Sequence, residues 1–406
     1  MEMKKLISLL LTVAMLATCL VGCGGGNDTP DGTEGGASND GAGAEYAVAM
    51  ITDYGDITDQ SFNQTTYEAC KAFCEANGID FKYYKPADDS TADRVASVEQ
   101  AIDDGYNVIV MPGYAFGGTL AEVAADYQDV KFIALDVAKG DILETAVPLA
   151  GEEYDYNPDN WNLEDYMDMS NVYCAIYQEE LSGYMAGVAA VKLGYRNLGF
   201  LGGMAVPAVM RFGYGFVQGA EAAATELDVE VNIKYAYGNQ FYSDGDITAA
   251  MDTWYANGTE VVFACGGGIF GSAAEAAVKV GGKVIGVDTD QAAVIDGKYG
   301  EGLTVTSAMK GLYPTTYDTL TDVLLNGNWD NYAGKITTLG LVSGTDVEAN
   351  YVQLPLESTQ WSDTFTADDY KALVAAMYDG TIKVSNDISA EPTVEKVTVE
   401  WLGNLK

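Results

Sequence analysis

The chain has 406 residues, with 60 acids against 21 bases and no histidine, for a formal net charge of −39. So acidic a chain lacks the basic footprint that nucleic acid and anionic lipid require. The lack of histidine removes the usual general base, metal ligand and triad partner, and neither a GxSxG elbow nor a GxxxxGK[ST] loop is present.

At the start of the chain, Lys4 and Lys5 precede an apolar stretch from Leu6 to Leu16, and Leu20-Val21-Gly22-Cys23 follows. A basic start, a short apolar run and a small-residue cleavage site predict a secretory signal over 1–23, too short to span a bilayer. The Leu-Val-Gly-Cys ending resembles a bacterial lipobox. That resemblance implies lipidation at Cys23 and a lipid-anchored chain on the extracytoplasmic face of the cell membrane. Residues 24–44 are rich in Gly, Asp, Ser, Thr and Asn and read as a disordered tether.

From Tyr46 onward, strand-like runs at 46–51, 79–84, 107–111 and 130–135 alternate with helix-like stretches at 62–77, 90–104 and 117–126. Strands separated by helices of this length predict parallel sheet with right-handed crossovers. Residues 137–171 break the pattern and read as a long surface excursion near the hinge or the cleft mouth. The alternation resumes with strands near 172–176, 197–201, 229–235, 260–264 and 283–287 and helices near 179–192, 207–226, 244–256 and 270–280. Leu303 to Ser307 is a strand that hands the chain back. The expected division is lobe I at 45–171 plus about 308–330, lobe II at 172–307 plus about 331–365, and a C-terminal helix and strand at 366–406. Cys70, Cys74, Cys174 and Cys265 read as small, partly buried apolar residues.

A duplication supports two lobes. VIVMPGYAFGGTLAEVAADYQDVKFIALD at 108–136 and VVFACGGGIFGSAAEAAVKVGGKVIGVD at 261–288 match at Val108/Val261, Gly113/Gly266, Gly118/Gly271, Glu122/Glu275 and Asp136/Asp288. The repeat is far longer than a solenoid unit and predicts two similar α/β lobes with a cleft between them. In open parallel sheets ligands bind beyond the carboxyl ends of the strands. Both lobes therefore present glycine-rich backbone and a carboxylate to the shared gap, which suits a neutral, hydroxyl-rich ligand.

The loop after the first strand carries Asp53, able to accept from hydroxyls or ring N–H groups, then Asp59 and Ser61 as N-cap candidates and Phe62-Asn63 at the helix start. Phe62 is either a hydrophobic staple or a flat face for stacking. Lys310 is either a solvated charge or the ion-pair partner of Asp288. Asp290 and Gln291 read as helix caps rather than ligand contacts.

Three motifs, GDITDQSFNQ at 55–64, GVDTDQ at 286–291 and TSAMKG at 306–311, resemble the basic membrane protein family, lipoproteins that bind purine nucleosides for ABC-type importers. The resemblance runs from Tyr46 to about Leu325. It implies a type I periplasmic-binding-protein fold, α/β with two doubly wound lobes, parallel sheets and a hinge, and a ligand held between the lobes. It also implies ligand contacts at Asp53, Phe62, Asn63, Asp136, Phe241, Gly267, Asp288 and Lys310, with Tyr242 as an alternative to Phe241. The base would stack on Phe62 and Phe241, and Asp288 and Lys310 would hold the ribose. In place of the family's Arg-Glu-Glu-Gly stretch stands Gln178-Glu179-Glu180-Leu181, so a contact from that arginine is lost. The expected partners are a purine nucleoside or related small molecule and a membrane permease. A monomer without nucleic acid, cofactor, metal or catalytic residues is expected. A binding protein for a sugar or other small polar ligand, and a nucleoside-hydrolysing enzyme with paired carboxylates, are the alternatives.

Overall fold

The computed structural model describes residues 45–53 and 55–406. The signal over 1–23, Cys23 and the tether over 24–44 lie outside the described residues.

The first half of the chain runs β1 (Ala47–Ile51), α1 (Phe62–Asn77), β2 (Asp80–Tyr84), α2 (Thr91–Asp103), β3 (Val108–Pro112), α3 (Phe116–Val123), β4 (Lys131–Leu135), α4 (Lys139–Leu149) and β5 (Val172–Tyr177). The second half begins α5 (Glu179–Lys192), β6 (Asn197–Gly202), α6 (Pro207–Leu227), β7 (Val231–Tyr237), α7 (Gly245–Ala256) and β8 (Val261–Cys265). It continues α8 (Phe270–Val278), β9 (Lys283–Asp288), α9 (Ala292–Tyr299) and β10 (Thr304–Lys310). The last part holds α10 (Leu312–Leu320), β11 (Lys335–Leu339), β12 (Val352–Gln353), α11 (Ala367–Tyr378) and β13 (Val397–Asn404).

Two sheets result, in the orders β11-β5-β4-β3-β1-β2 and β12-β10-β9-β8-β6-β7-β13. Every pairing is parallel except β10 with β12. The central strands of each sheet are buried on both faces, which is why they are continuous apolar runs, whereas the edge strands β2, β11 and β13 are largely exposed. In β1, Val48 and Met50 meet Phe73 of α1 and Leu320 of α10, while Ala49 and Ile51 meet Val98 of α2 and Leu120 of α3. In the second sheet, Leu198 and Phe200 of β6 face α5, α6 and α11, and Leu201 faces α7 and α8.

The helices α5 and α6 approach backbone to backbone. A Cβ at Gly187 would stand 2.2 Å from the Phe216 carbonyl oxygen, and one at Gly215 would stand 2.1 Å from that of Glu180. Only glycine permits this contact.

Three features of the chain's division differ from expectation. The strand at 172–177 pairs with β4 in the first sheet instead of opening the second lobe, and β11, expected with lobe II, extends that same sheet. An apolar strand buried on both faces reads alike in either sheet, so its composition does not reveal its partner. The segment 366–406 is not separate: α11 packs into the core around α5, and β13 pairs with β7. The excursion at 137–171 contains α4, the ordinary crossover helix between β4 and β5, with Ile142, Leu143, Ala146 and Val147 buried. Its remainder folds onto the first lobe's core through Leu163, Met167 and Met169, with Trp161 Nε1 donating to Asp155 at 2.6 Å.

The lobes are joined where β5 passes into α5, β10 into α10, and β11 toward β12. These crossings run side by side: Gln178 N–H donates to Leu339 O at 2.9 Å, Gly311 N–H to Tyr351 O at 2.7 Å and Tyr351 N–H to Gly340 O at 3.0 Å. Among the described residues, no helix is long and apolar enough to cross a membrane, and the four cysteines are free and buried.

Candidate functional site

The carboxyl ends of both sheets face one cavity of about 460 Å³. Its polar geometry begins at the duplicated strand ends. Asp136 directly follows β4 and Asp288 ends β9, and both adopt the left-handed conformation, with φ of 60° and 65°. Aspartate tolerates that region better than most residues, and the paired turns carry both carboxylates to the cavity wall. The preceding turns match as well, with Gly113 at φ 129° and Gly266 at φ 153°, a conformation that L side chains avoid.

Lys310, the last residue of β10, lies between these acids. Its Nζ bonds to Asp136 Oδ2 and stands 3.5 Å from Asp288 Oδ1 and 3.9 Å from Glu179 Oε1. The ammonium also sits 4.6 Å from the centre of the Phe62 ring. Burial pulls the lysine pKa down, but Asp136, Asp288 and Glu179 outweigh it and hold the group above its ordinary value. Burial pushes Asp288 and Glu179 upward, opposed by Lys310 at the first and by Arg211 and Lys310 at the second. The solvated-charge alternative for Lys310 is thereby removed.

On the first lobe, Asp59 rather than Ser61 caps α1. Its carboxylate accepts the backbone N–H groups of Ser61, Asn63 and Gln64 at 2.8–3.1 Å, whereas Ser61 makes no side-chain capping bond. Ser61 Oγ instead donates to Asp288 Oδ2 at 2.6 Å, from one lobe to the other. Asn63 Nδ2 donates to Asp53 at 3.1 Å and to Asp59 at 3.0 Å, and its Oδ1 is buried with no hydrogen-bond partner among the described residues. Gln291 also joins the lobes: its Oε1 accepts from Val287 N–H at 2.9 Å, and its Nε2 donates to Gln60 O at 3.0 Å. It is therefore a bridge between lobes and makes no side-chain cap on α9.

All eight expected positions, Asp53, Phe62, Asn63, Asp136, Phe241, Gly267, Asp288 and Lys310, line this cavity. Phe62 comes from the first lobe, and Phe241 from the second, where it lies over the backbone of Gly203, Gly266 and Gly267. Tyr242 also reaches the lining but is 63 % exposed. The staple and the stacking surface are not exclusive for Phe62, which packs partly on the core while lining the cavity.

The sequence leaves open whether Arg211 and Phe212 line the cleft and does not point to Asp141; all three reach the cavity, Asp141 from α4 and Arg211 and Phe212 from α6. Arg211 Nε donates to the fully buried Glu179 at 2.6 Å. Burial lowers the Arg211 pKa, but Glu179 more than restores it and leaves it raised. Burial lifts the Asp141 carboxyl to about 7, against the Ala138 N–H and Arg211, which favour ionisation. A signal existed for Arg211: it is a lone charge in the apolar run Val209-Met210-Arg211-Phe212, where burial requires a partner. None exists for Asp141, because Gly140 and Pro148 obscure the period of its helix. The arrangement can grip hydroxyl and ring N–H groups with acids, and acceptors with two fixed cations. Among the described residues, no cluster of three or more His, Cys, Asp or Glu is placed to hold a metal.

Comparison with known proteins agrees with this architecture. The model of the family described as Bmp, ABC transporter substrate-binding protein PnrA-like, matches residues 46–372. The ABC transporter nucleoside-binding protein BmpA of Lactococcus lactis is 28% identical over 304 residues, 71% of this chain and 75% of that protein. Basic membrane protein B of Borrelia garinii is 24% identical over 341 residues, 82% and 86% of the respective chains. Among solved structures, a solute-binding protein of an ABC transporter system from Aeropyrum pernix K1 superposes with a TM-score of 0.61 at 19% identity, covering 84% of this chain and 88% of that one. That likeness shows the fold, the two-lobed type I periplasmic-binding-protein architecture. With its family match spanning both lobes, this chain belongs to the Bmp family of PnrA-like ABC transporter substrate-binding proteins.

Proposed function

We propose that the protein binds a purine nucleoside in the interlobe cavity and delivers it, intact, to a membrane permease. The observation that carries this reading is the presence of an aromatic ring from each lobe, Phe62 and Phe241, in a cavity whose strand ends supply Asp136, Asp288 and Lys310. A flat heterocycle fits between ring faces. A vicinal diol fits a carboxylate and an ammonium that already neutralise each other. The printed name of the Lactococcus lactis relative, a nucleoside-binding protein, supports the same class. The edge read by Asp53 and Asn63 is two strands from Asp136 in the sheet order, roughly 10 Å at ordinary strand spacing, which separates base from sugar.

No enzymatic role is proposed. Hydrolysis by the duplicated strand-end carboxylates would need Asp136 or Asp288 free to protonate a leaving group, and both lie against Lys310. A lipid anchor at Cys23 would keep the protein at the extracytoplasmic face of the membrane, and a relative from Pyrococcus horikoshii is named an uncharacterized lipoprotein. Calorimetry with purine nucleosides, free bases and pentoses tests the ligand class, followed by chromatography of the recovered ligand. Nucleosides should bind much more tightly than either fragment and return uncleaved. Equal binding of a pentose would transfer the site to sugars, and released base would make the protein a hydrolase.

A further inference from the structure

Beyond the base edge, the ring faces and the diol, the cavity lining also carries the exposed Asp56–Lys85 ion pair, Lys298, and two deeper charged residues, Arg211 and Asp141. Arg211 comes from α6 in the second lobe and Asp141 from α4 in the first, and both line the cavity. The guanidinium is pinned through Nε by Glu179, which is wholly buried. Its Nη groups make no hydrogen bond among the described residues. Asp141 commits Oδ2 to the Ala138 N–H at 2.7 Å, and its Oδ1 has no such partner among the described residues. Asp136 stands close enough to influence both, and its Oδ1 is buried without a hydrogen-bond partner among the described residues.

An arginine only donates and an ionised carboxylate only accepts, whereas a hydroxyl does both. One hydroxyl between Arg211 and Asp141 satisfies the two at once. A phosphate would satisfy Arg211 but bring its charge against Asp141 and Asp136, a repulsion that excludes the wrong ligand. In a nucleoside whose base edge and diol are already engaged, the remaining polar group is the terminal hydroxymethyl of the sugar. We propose that Arg211 and Asp141 together hold this 5′-hydroxyl and so select a free nucleoside over its 5′-deoxy and 5′-phosphorylated forms. The inference rests on the nucleoside reading of the cavity. Because the two residues come from different lobes, the hydroxyl also bridges them.

The test is calorimetry at pH 8 with adenosine and guanosine, their 5′-deoxy derivatives and their 5′-monophosphates. Wild-type protein should bind the deoxy compounds at least about tenfold more weakly, since a site built to bond a hydroxyl is left with unpaired groups when it is missing. Arg211→Met should reduce that ratio to about twofold. The double variant Glu179→Gln/Arg211→Met, which removes the Glu179 charge together with its arginine partner, should do the same and shows that the effect does not come from stranding Glu179. Asp141→Asn keeps an acceptor for Ala138 and should regain about tenfold in monophosphate binding. A deoxy ratio in the double variant equal to wild type, or unchanged monophosphate rejection in Asp141→Asn, overturns the assignment while nucleoside binding stands. If wild-type protein binds neither parent nucleoside, the nucleoside reading falls, and this inference with it.

Discussion

Lys310 is the residue on which the site's electrostatics turn. It lies against Asp136, Asp288 and Glu179 and over the Phe62 ring, so removing it exposes buried acids to one another. Lys310→Met should therefore weaken nucleoside binding and also lower the thermal midpoint, because breaking a buried pair strands a charge. Phe62→Ala should cost about 1–3 kcal/mol of affinity, measured by calorimetry, with little loss for a pentose that needs no stacking. Two further carboxyls set the pH response. Burial lifts Asp141 and Glu180 each to about 7, above the usual value of about 4 that they regain on unfolding. The folded chain thus holds protons that the unfolded chain releases. The stability this contributes is complete below about pH 4 and lost as pH rises through about 7. Thermal midpoints between pH 5 and 8 should fall less steeply in Glu180→Gln than in the wild type, and parallel slopes would remove Glu180 from the account.

At the scale of elements, the pairing of α5 with α6 joins packing to the site. Glu179 opens α5 and Arg211 lies on α6, so their 2.6 Å bond depends on how closely the helices approach. Glycines set that approach. A methyl group at Gly215 would fall 2.1 Å from the Glu180 carbonyl and one at Gly187 would fall 2.2 Å from that of Phe216. Each glycine-to-alanine change should destabilise the fold by about 1–3 kcal/mol, the usual cost of overpacking, as read by denaturant unfolding. Gly215→Ala should also reduce ligand affinity, being next to the Glu179–Arg211 pair, whereas Gly187→Ala, about two turns further along α5, should affect stability more than binding. Equal affinity losses in the two variants would argue against this local coupling.

For the whole molecule, the three adjacent crossings form a hinge, and the lobes touch through Ser61–Asp288 and Gln60–Gln291. Gln291 is buried and does not line the cavity, so a change there is expected to act on closure rather than on a direct ligand contact. Gln291→Ala should accelerate nucleoside release with little change in the association rate, as surface plasmon resonance would record. Solution scattering should show a more compact protein when nucleoside is added. A slower association with unchanged release would place Gln291 outside the closing step.

The duplicated strand-turn-helix-strand pattern was legible in the residues because an apolar run, a turn glycine and a terminal aspartate impose the same local geometry wherever they occur. Gly113 with Gly266 and Asp136 with Asp288 accordingly share their backbone conformations, and the expected contacts around them reach one cavity. The N-terminal part of the excursion at 137–171 hid a helix, since Gly140 and Pro148 dilute its period. Tertiary structure alone decided the rest. Whether β5 and β11 join the first sheet or the second depends on backbone pairing with strands distant in sequence: the doubly buried apolar β5 suits either sheet, and the half-exposed β11 would fit the edge of either. Arg211 and Asp141 meet the same cavity only because helices from different lobes converge there, a proximity that no local period records.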